Sequence, residues 1–249
     1  DGQEDTGEEA AEEPPKIVRF VAMGDGGEGN EDQYMVSAVL EEVCNAKEDG
    51  RAGCDFALYL GDNFYDAGVD GVDDPQFQTK FEEPYANLSL PFYVALGNHD
   101  YGGDCFFTDC GGLGNEFEKS EAQIEYTAFS DKWNMPDEYY TFVSEHVQFF
   151  ALDTNALMWD PWLGSAEGQD EWMQAEMAAS GAEWKIAYGH HPYISNGRHG
   201  NAGAYEGLDW LNIAEAVVVG DGVLEFMEEN VCGQIDMYLC GHDHNRQWL

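Results

Sequence analysis

Short apolar runs punctuate this chain, and each stops at a turn rich in glycine, aspartate, asparagine or histidine. KIVRFVAM (16–23) leads into GDGG, FALYL (56–60) into GDNFY, PFYVAL (91–96) into GNHD, EWKIAY (183–188) into GHHP and QIDMYLC (234–240) into GHDHN. Runs this brief, bounded by turn residues and rich in β-branched and aromatic side chains, predict strands. A helix-like stretch follows the first turn through Leu40 and Val43, and further helical patterns lie around Pro75–Tyr85, Gly168–Ala179 and Asp221–Glu229. YYTFV (139–143) and VQFFALD (147–153) predict a hairpin or an adjacent edge. Strands alternating with helices imply an α/β sandwich of mixed sheets flanked by helices. In open α/β sheets ligands bind beyond the carboxyl ends of strands, so the five turns are expected to converge on one pocket.

The pattern breaks down only at the start. Residues 1–15, DGQEDTGEEAAEEPP, hold seven carboxylates and no basic side chain and close on a proline pair, which predicts an acidic, mobile tail ahead of a single domain over 16–249. At 249 residues with 43% hydrophobic content, the chain can bury a substantial core. No apolar run reaches the roughly 20 residues of a membrane span.

Charge changes the picture more than composition does. Fifty acidic residues stand against ten basic ones, a formal net charge of -40, which argues against a nucleic-acid partner and suits salt-rich or acidic surroundings. None of the six cysteines forms a C-x-x-C pair, so neither a cysteine-held zinc nor thiol redox chemistry is indicated. Cys44 with Cys54, and Cys105 with Cys110, are expected to form two local disulfides.

The turns carry the chemistry. Five of seven histidines, His99, His190, His191, His242 and His244, fall in them, beside Asp25, Asp62, Tyr65 and Asn98. An aspartate after glycine at a strand end is, taken alone, more often a turn former. Five such turns together instead supply the oxygen and imidazole donors that hard and borderline metal ions require. His190 and His191 compete for one ligand role.

In this order, GDGG, GDNFY, GNHD, GHHP and GHDHN resemble the calcineurin-like metallophosphoesterases, and a tyrosine in GDNFY resembles their purple acid phosphatases. AQIEY, KWNMPDEYY and FFALDT resemble the mammalian-type, tartrate-resistant branch, and the likeness runs from Lys16 to the C-terminus. The resemblance implies a binuclear centre. Asp25, Tyr65 and His244 would hold Fe(III) with Asp62, and Asn98, His190 and His242 would share Asp62 to hold a divalent iron, zinc or manganese ion. It selects His190, directly after the glycine, as the ligand.

It further implies His99 as a phosphoryl contact and His199 as the acid that protonates the leaving alcohol. The implied reaction is hydrolysis of phosphate monoesters by in-line attack of a metal-bound hydroxide, with inorganic phosphate as product, in a secreted, periplasmic or cell-surface protein. Two other readings stand beside it: a phosphodiesterase or nucleotide hydrolase using divalent metals alone, and a metal- or phosphate-binding module without turnover. Relatives of this branch run on through further strands where this chain stops at Leu249, so a C-terminally shortened second sheet is expected. The loops 101–119 and 201–220 are expected to be longer than in those relatives.

Overall fold

The computed structural model describes residues 16–48, 50–103, 112–166, 168–205 and 220–249. The tail 1–15 and the pair Cys105 and Cys110 lie outside these residues, whereas the other expected disulfide, Cys44–Cys54, is formed. Strands β1 (Phe20–Met23), β4 (Phe56–Leu60), β5 (Phe92–Ala95) and β6 (Trp133–Asn134) form one sheet in the order β1-β4-β5-β6, parallel throughout. A second sheet runs β10-β9-β8-β7, from β10 (Met237–Leu239), β9 (Trp184–Tyr188), β8 (Val147–Ala151) and β7 (Tyr140–Ser144). Its first three strands are parallel, and β7 pairs antiparallel with β8 as the expected hairpin. A small two-stranded ribbon, β2 (Lys47–Glu48) with β3 (Arg51–Ala52), sits beside the disulfide.

The unbroken apolar runs are explained by burial on both faces. Every residue of FALYL in β4 and of VQFFA in β8 is buried. In β8 the pleat sends Phe149 and Ala151 into the core between the sheets, while Phe150 and its neighbour Leu152 pack beneath helices. Those helices are α3 (Thr154–Leu163), α4 (Gln169–Ala179) and α5 (Asp221–Phe226), which contribute Leu157, Met173, Val223 and Phe226. The first sheet lies against α1 (Glu31–Asn45), α2 (Lys119–Tyr126) and an aromatic cluster of Tyr59, Phe81, Tyr85, Phe92 and Trp133.

Local rules set the helix ends. Asn30 caps α1 by accepting from the Gln33 amide at 3.0 Å, and Glu31 and Asp32 in its first turn suit the positive end of the helix dipole. The predicted helices at 168–179 and 221–229 are present as α4 and as α5, the latter continuing into a π-type turn at Met227–Val231. The segment around Pro75–Tyr85 is helical over 76–82, with the π-type stretch Gln78–Glu82 making up most of it. Among the described residues no helix is long and apolar enough to cross a membrane.

Candidate metal centre

β1, β4 and β5 from one sheet and β9 and β10 from the other end on the same side, so the five turns meet at the joined carboxyl ends of two sheets. Backbone contacts lock them. The Asp25 amide donates to Gly61 O at 3.0 Å, the Gly241 amide to His190 O at 3.0 Å, and the His242 amide to both oxygens of Asp25 at 3.0 and 3.1 Å. Asp25, Asp62 and His242 adopt left-handed φ of 57°, 54° and 70°, a conformation that costs a non-glycine residue about 1–3 kcal/mol and persists where the surroundings enforce it.

Glycine precedes the donors because the turns crowd one another. A Cβ on Gly97 would lie 2.3 Å from Asp62 Oδ1, and one on Gly241 2.9 Å from Asp25 Oδ2.

Two groups of donor atoms result, and they share one atom. Tyr65 Oη stands 3.4 Å from Asp25 Oδ1, 3.1 Å from His244 Nε2 and 2.8 Å from Asp62 Oδ2. His190 Nε2 stands 3.1 Å from Asn98 Oδ1, 3.0 Å from His242 Nδ1 and 3.3 Å from that same Asp62 Oδ2. Asp62 is 2% exposed and His190 is fully buried, whereas the His244 side chain is 64% exposed at the rim.

The donor chemistry fits cations. His190 Nδ1 lies 2.9 Å from Leu60 O and donates its hydrogen there, which leaves Nε2 as a lone pair facing the oxygens of Asn98 and Asp62. The Asn98 amide is oriented by its own donor, since Nδ2 gives a 2.7 Å bond to Gly112 O and turns Oδ1 inward. So many converging lone pairs repel unless a positive charge, a proton or a metal ion, sits among them. The ionisation equilibria report the same field. Burial works against charge on both Asp62 and His190, but their mutual attraction outweighs it, lowering the Asp62 carboxyl and raising His190 to about 9. Burial, and then the nearby Asp62 charge, raise Asp25. Burial and neighbouring imidazoles hold His242 and His191 well below the usual histidine range, so both are neutral.

The remaining histidines sort by position. His99 donates its amide to Asp62 Oδ1 at 3.0 Å; its ring lies 4.4 Å from that of Tyr65, and its Nδ1 is 2.6 Å from Asp66 O. His191 stands with Nδ1 3.0 Å from Thr154 Oγ1 and its ring 4.6 Å from that of His242, whereas His190 Nε2 faces Asn98 and Asp62. His199 lies outside the strand-end motifs, but its ring returns to 4.4 Å from that of His242. His146 lies in the β7–β8 turn at the opposite end of the sheet.

Sequence reasoning overlooked the residues that hold the turns. Asp100 is fully buried and accepts from the amides of Gly97, Asn63 and Phe64 at 2.8–3.1 Å and from the side chains of Asn63 and Gln123. It ties GDNFY to GNHD. Thr154 Oγ1 accepts from the amides of His190 and His191 at 3.2 and 3.0 Å. Asp100 stands inside a motif and was open to the same scrutiny as its neighbours; Thr154 ends the quoted FFALDT segment, where nothing in the sequence points to a role.

The family model for calcineurin-like phosphoesterases matches residues 18–246. The chain belongs to the calcineurin-like phosphoesterases. This phosphoesterase is 32% identical over 262 residues to tartrate-resistant acid phosphatase type 5 of Rattus norvegicus, a match covering 95% of the chain and 69% of the relative. The same enzyme of Homo sapiens is 33% identical, with 93% and 68% covered, and purple acid phosphatase 7 of Arabidopsis thaliana 29%, with 93% and 66% covered. Within the family the phosphoesterase therefore falls among the purple acid phosphatases. A solved structure titled GAP50, the anchor in the inner membrane complex of Plasmodium, superposes with a TM-score of 0.63 over 92% of this chain and 66% of that one, at 24% identity, and shares the fold.

Proposed function

We propose that the protein is a binuclear-metal phosphatase that hydrolyses phosphate monoesters. One observation carries this reading: two donor groups, one around Tyr65 Oη and one around His190 Nε2, close on the same oxygen of Asp62. Asp25, Tyr65 and His244 with Asp62 offer carboxylate, phenol and imidazole, a hard and anionic set suited to Fe(III). Asn98, His190 and His242 with Asp62 offer an amide, two neutral imidazoles and one carboxylate, which suits a divalent iron, zinc or manganese ion. Ions bound there supply Lewis acidity, acidifying water and offsetting the charge that spreads over a phosphoryl group in flight.

The chain's own residues do the rest. With Nδ1 committed to Asp66 O, His99 offers an N–H from Nε2 as imidazolium, which would steady a phosphoryl oxygen. His199 lies beside His242 at the mouth, where its imidazolium can hand a proton to the departing alkoxide. The Cys44–Cys54 disulfide supports a secreted, periplasmic or cell-surface location, where thiols oxidise.

Metal analysis, the visible spectrum and hydrolysis of p-nitrophenyl phosphate test the proposal on one preparation. Expected are about two ions per chain, one of them iron, a phenolate-to-iron absorption band, and acid-favoured turnover of the monoester. A colourless, iron-free and fully active protein would instead establish the divalent phosphodiesterase or nucleotide-hydrolase reading. Metal-loaded protein that binds phosphate without cleaving any ester would establish a binding module, a reading open to any member of the fold because fold alone does not fix chemistry.

A further inference from the structure

Asp243 stands between His242 and His244 in the GHDHN turn, and its carboxylate oxygens bond the loop 195–199. It is 7% exposed and spans to the loop 195–199, which lies 44–48 residues earlier in the chain. Oδ1 accepts from the His199 backbone amide at 2.9 Å, and Oδ2 accepts from the buried Ser195 hydroxyl. The loop is pulled close: a Cβ on Gly197 would fall 2.1 Å from Asp243 Cγ, so only glycine permits the approach.

Ser195 Oγ leaves no choice of partner. It already accepts from the Gly197 amide at 2.8 Å and from Gln247 Nε2 at 2.8 Å, so its hydrogen must go to an acceptor, and Asp243 Oδ2 is that acceptor. Gln247 Oε1 in turn accepts from the Asn196 amide at 2.6 Å, bracing the same loop from its other side. An amide at position 243 could satisfy the His199 amide or Ser195, but not both. With its oxygen toward His199, its NH2 would meet an oxygen already holding two donors.

We propose that Asp243 is the positioning residue for the proton donor: its carboxylate clamps the His199 backbone to the turn that carries His242, and so sets where the His199 imidazole stands relative to the leaving group. This rests on the assignment of His199 as proton donor in the proposed function. It makes the GHDHN turn serve both halves of the reaction, holding the centre through its histidines and aiming the acid through its aspartate.

The test compares Asp243→Asn and Ser195→Ala with His199→Ala in the full metal-loaded chain, on p-nitrophenyl phosphate and on an alkyl ester, glycerol 2-phosphate. A good leaving group needs little proton transfer and a poor one needs much. Asp243→Asn should lower kcat on the alkyl ester by about 10–100-fold, less than the 10²–10⁴ that general acid catalysis contributes because the acid is misplaced and not removed, with KM held within about twofold and a far smaller fall on p-nitrophenyl phosphate. Ser195→Ala should do the same more weakly, and adding Asp243→Asn to His199→Ala should cost nothing further. Metal content and visible spectrum should match the parent, while hydrogen exchange at the Gly197 and His199 amides rises.

A uniform loss on both esters, or loss of metal, overturns the proposal, because Asp243 would then act through the metal ligands. An unchanged alkyl-ester rate in Asp243→Asn, with His199→Ala impaired, overturns it while leaving His199 as the acid. If Asp243→Asn does not fold, a flat leaving-group response in Ser195→Ala overturns it instead. If His199→Ala itself shows no leaving-group dependence, the proton-donor assignment falls and the proposal falls with it.

Discussion

Asp62→Asn is the most exacting perturbation of the proposed centre, because it keeps the shape of the side chain and removes charge from the one atom shared by both donor groups. The new amide can still accept from the His99 amide, now 3.0 Å from Oδ1. At the other position it presents N–H groups where Tyr65 donates at 2.8 Å and where the His190 Nε2 lone pair waits at 3.3 Å. Removing only an outer partner of a ligand typically costs 10–100-fold in metal affinity, so losing a ligand common to both ions should cost at least about 100-fold for each. That is roughly 2.7 kcal/mol per ion. At a metal concentration 1,000 times the parent Kd, a bound ion stabilises the fold by ~4.1 kcal/mol; a site 100-fold weaker retains only ~1.4 kcal/mol. Thermal unfolding with and without a chelator should therefore show about two-thirds of the metal-dependent gain lost, and plasma mass spectrometry after dialysis should find under half the parent metal. The metal-free variant should itself unfold earlier than the metal-free parent, since it loses the attraction between Asp62 and His190, so the metal-dependent gain is taken for each protein against its own chelated sample. A variant that kept both ions and its full metal-dependent gain would refute the shared-carboxylate reading.

Tyr65→Phe removes the Oη that links Asp25, Asp62 and His244, and should abolish the visible absorption band while circular dichroism stays that of the parent; a persisting band would move the iron away from Tyr65. Gly97→Ala would drive a methyl to 2.3 Å from Asp62 Oδ1 and 2.4 Å from its amide, so denaturant unfolding should show a loss of about 1–3 kcal/mol together with reduced metal content. Burial outweighs the hydrogen bonds to Asp153 and raises its carboxyl to about 7, above the usual 3.8, so the folded state binds the extra proton between those values and stability should fall as pH rises from about 4 to 7; Asp153→Asn should flatten that slope in pH-dependent melting curves, and an unchanged slope would assign it to other groups. With a net charge of -40 the surface repels dianionic esters over a Debye length of ~10 Å at 0.1 M salt, so KM should fall from low to molar salt, and a constant KM would remove that effect.

The strands were legible because their burial is extreme. FALYL and VQFFA are apolar at every position, and both faces of each are covered. The donors were legible for a related reason: a turn that must bring a carboxylate or imidazole to a crowded point needs glycine before it, and the repeated glycine-donor pairing survives as text. α3 was not legible. TNALMWDPWL is apolar on all sides and carries Pro161 near its end, so helical periodicity never emerges, and its start is fixed by Asp153, which accepts from the Ala156 amide at 2.9 Å. β6, of two residues, is held by pairing with β5 and not by any preference of its own. Apart from the Gly97 amide on Asp100, the roles of Asp100, Thr154 and Asp243 rest on partners 23 to 48 residues away, separations at which no spacing rule operates.

Fold and chemistry divide along that same line. Two sheets with parallel strands ending together will bring five turns into contact whatever the turns contain, and the likeness to the Plasmodium protein shows the framework persisting at 24% identity. What the framework cannot supply is a reason for three imidazoles, two of them buried or half-buried, two carboxylates, an amide and a phenol to point at one another. Asp25, Asp62 and His242 accept left-handed backbone to do so, and His190 gives up solvent entirely. The first three cost stability in the metal-free protein by strain, and the fourth gives up hydration that only its pairing with Asp62 offsets. A sequence selected for stability alone would relieve them with glycine or a small apolar residue, so their joint presence is evidence for a cation that returns the cost on binding.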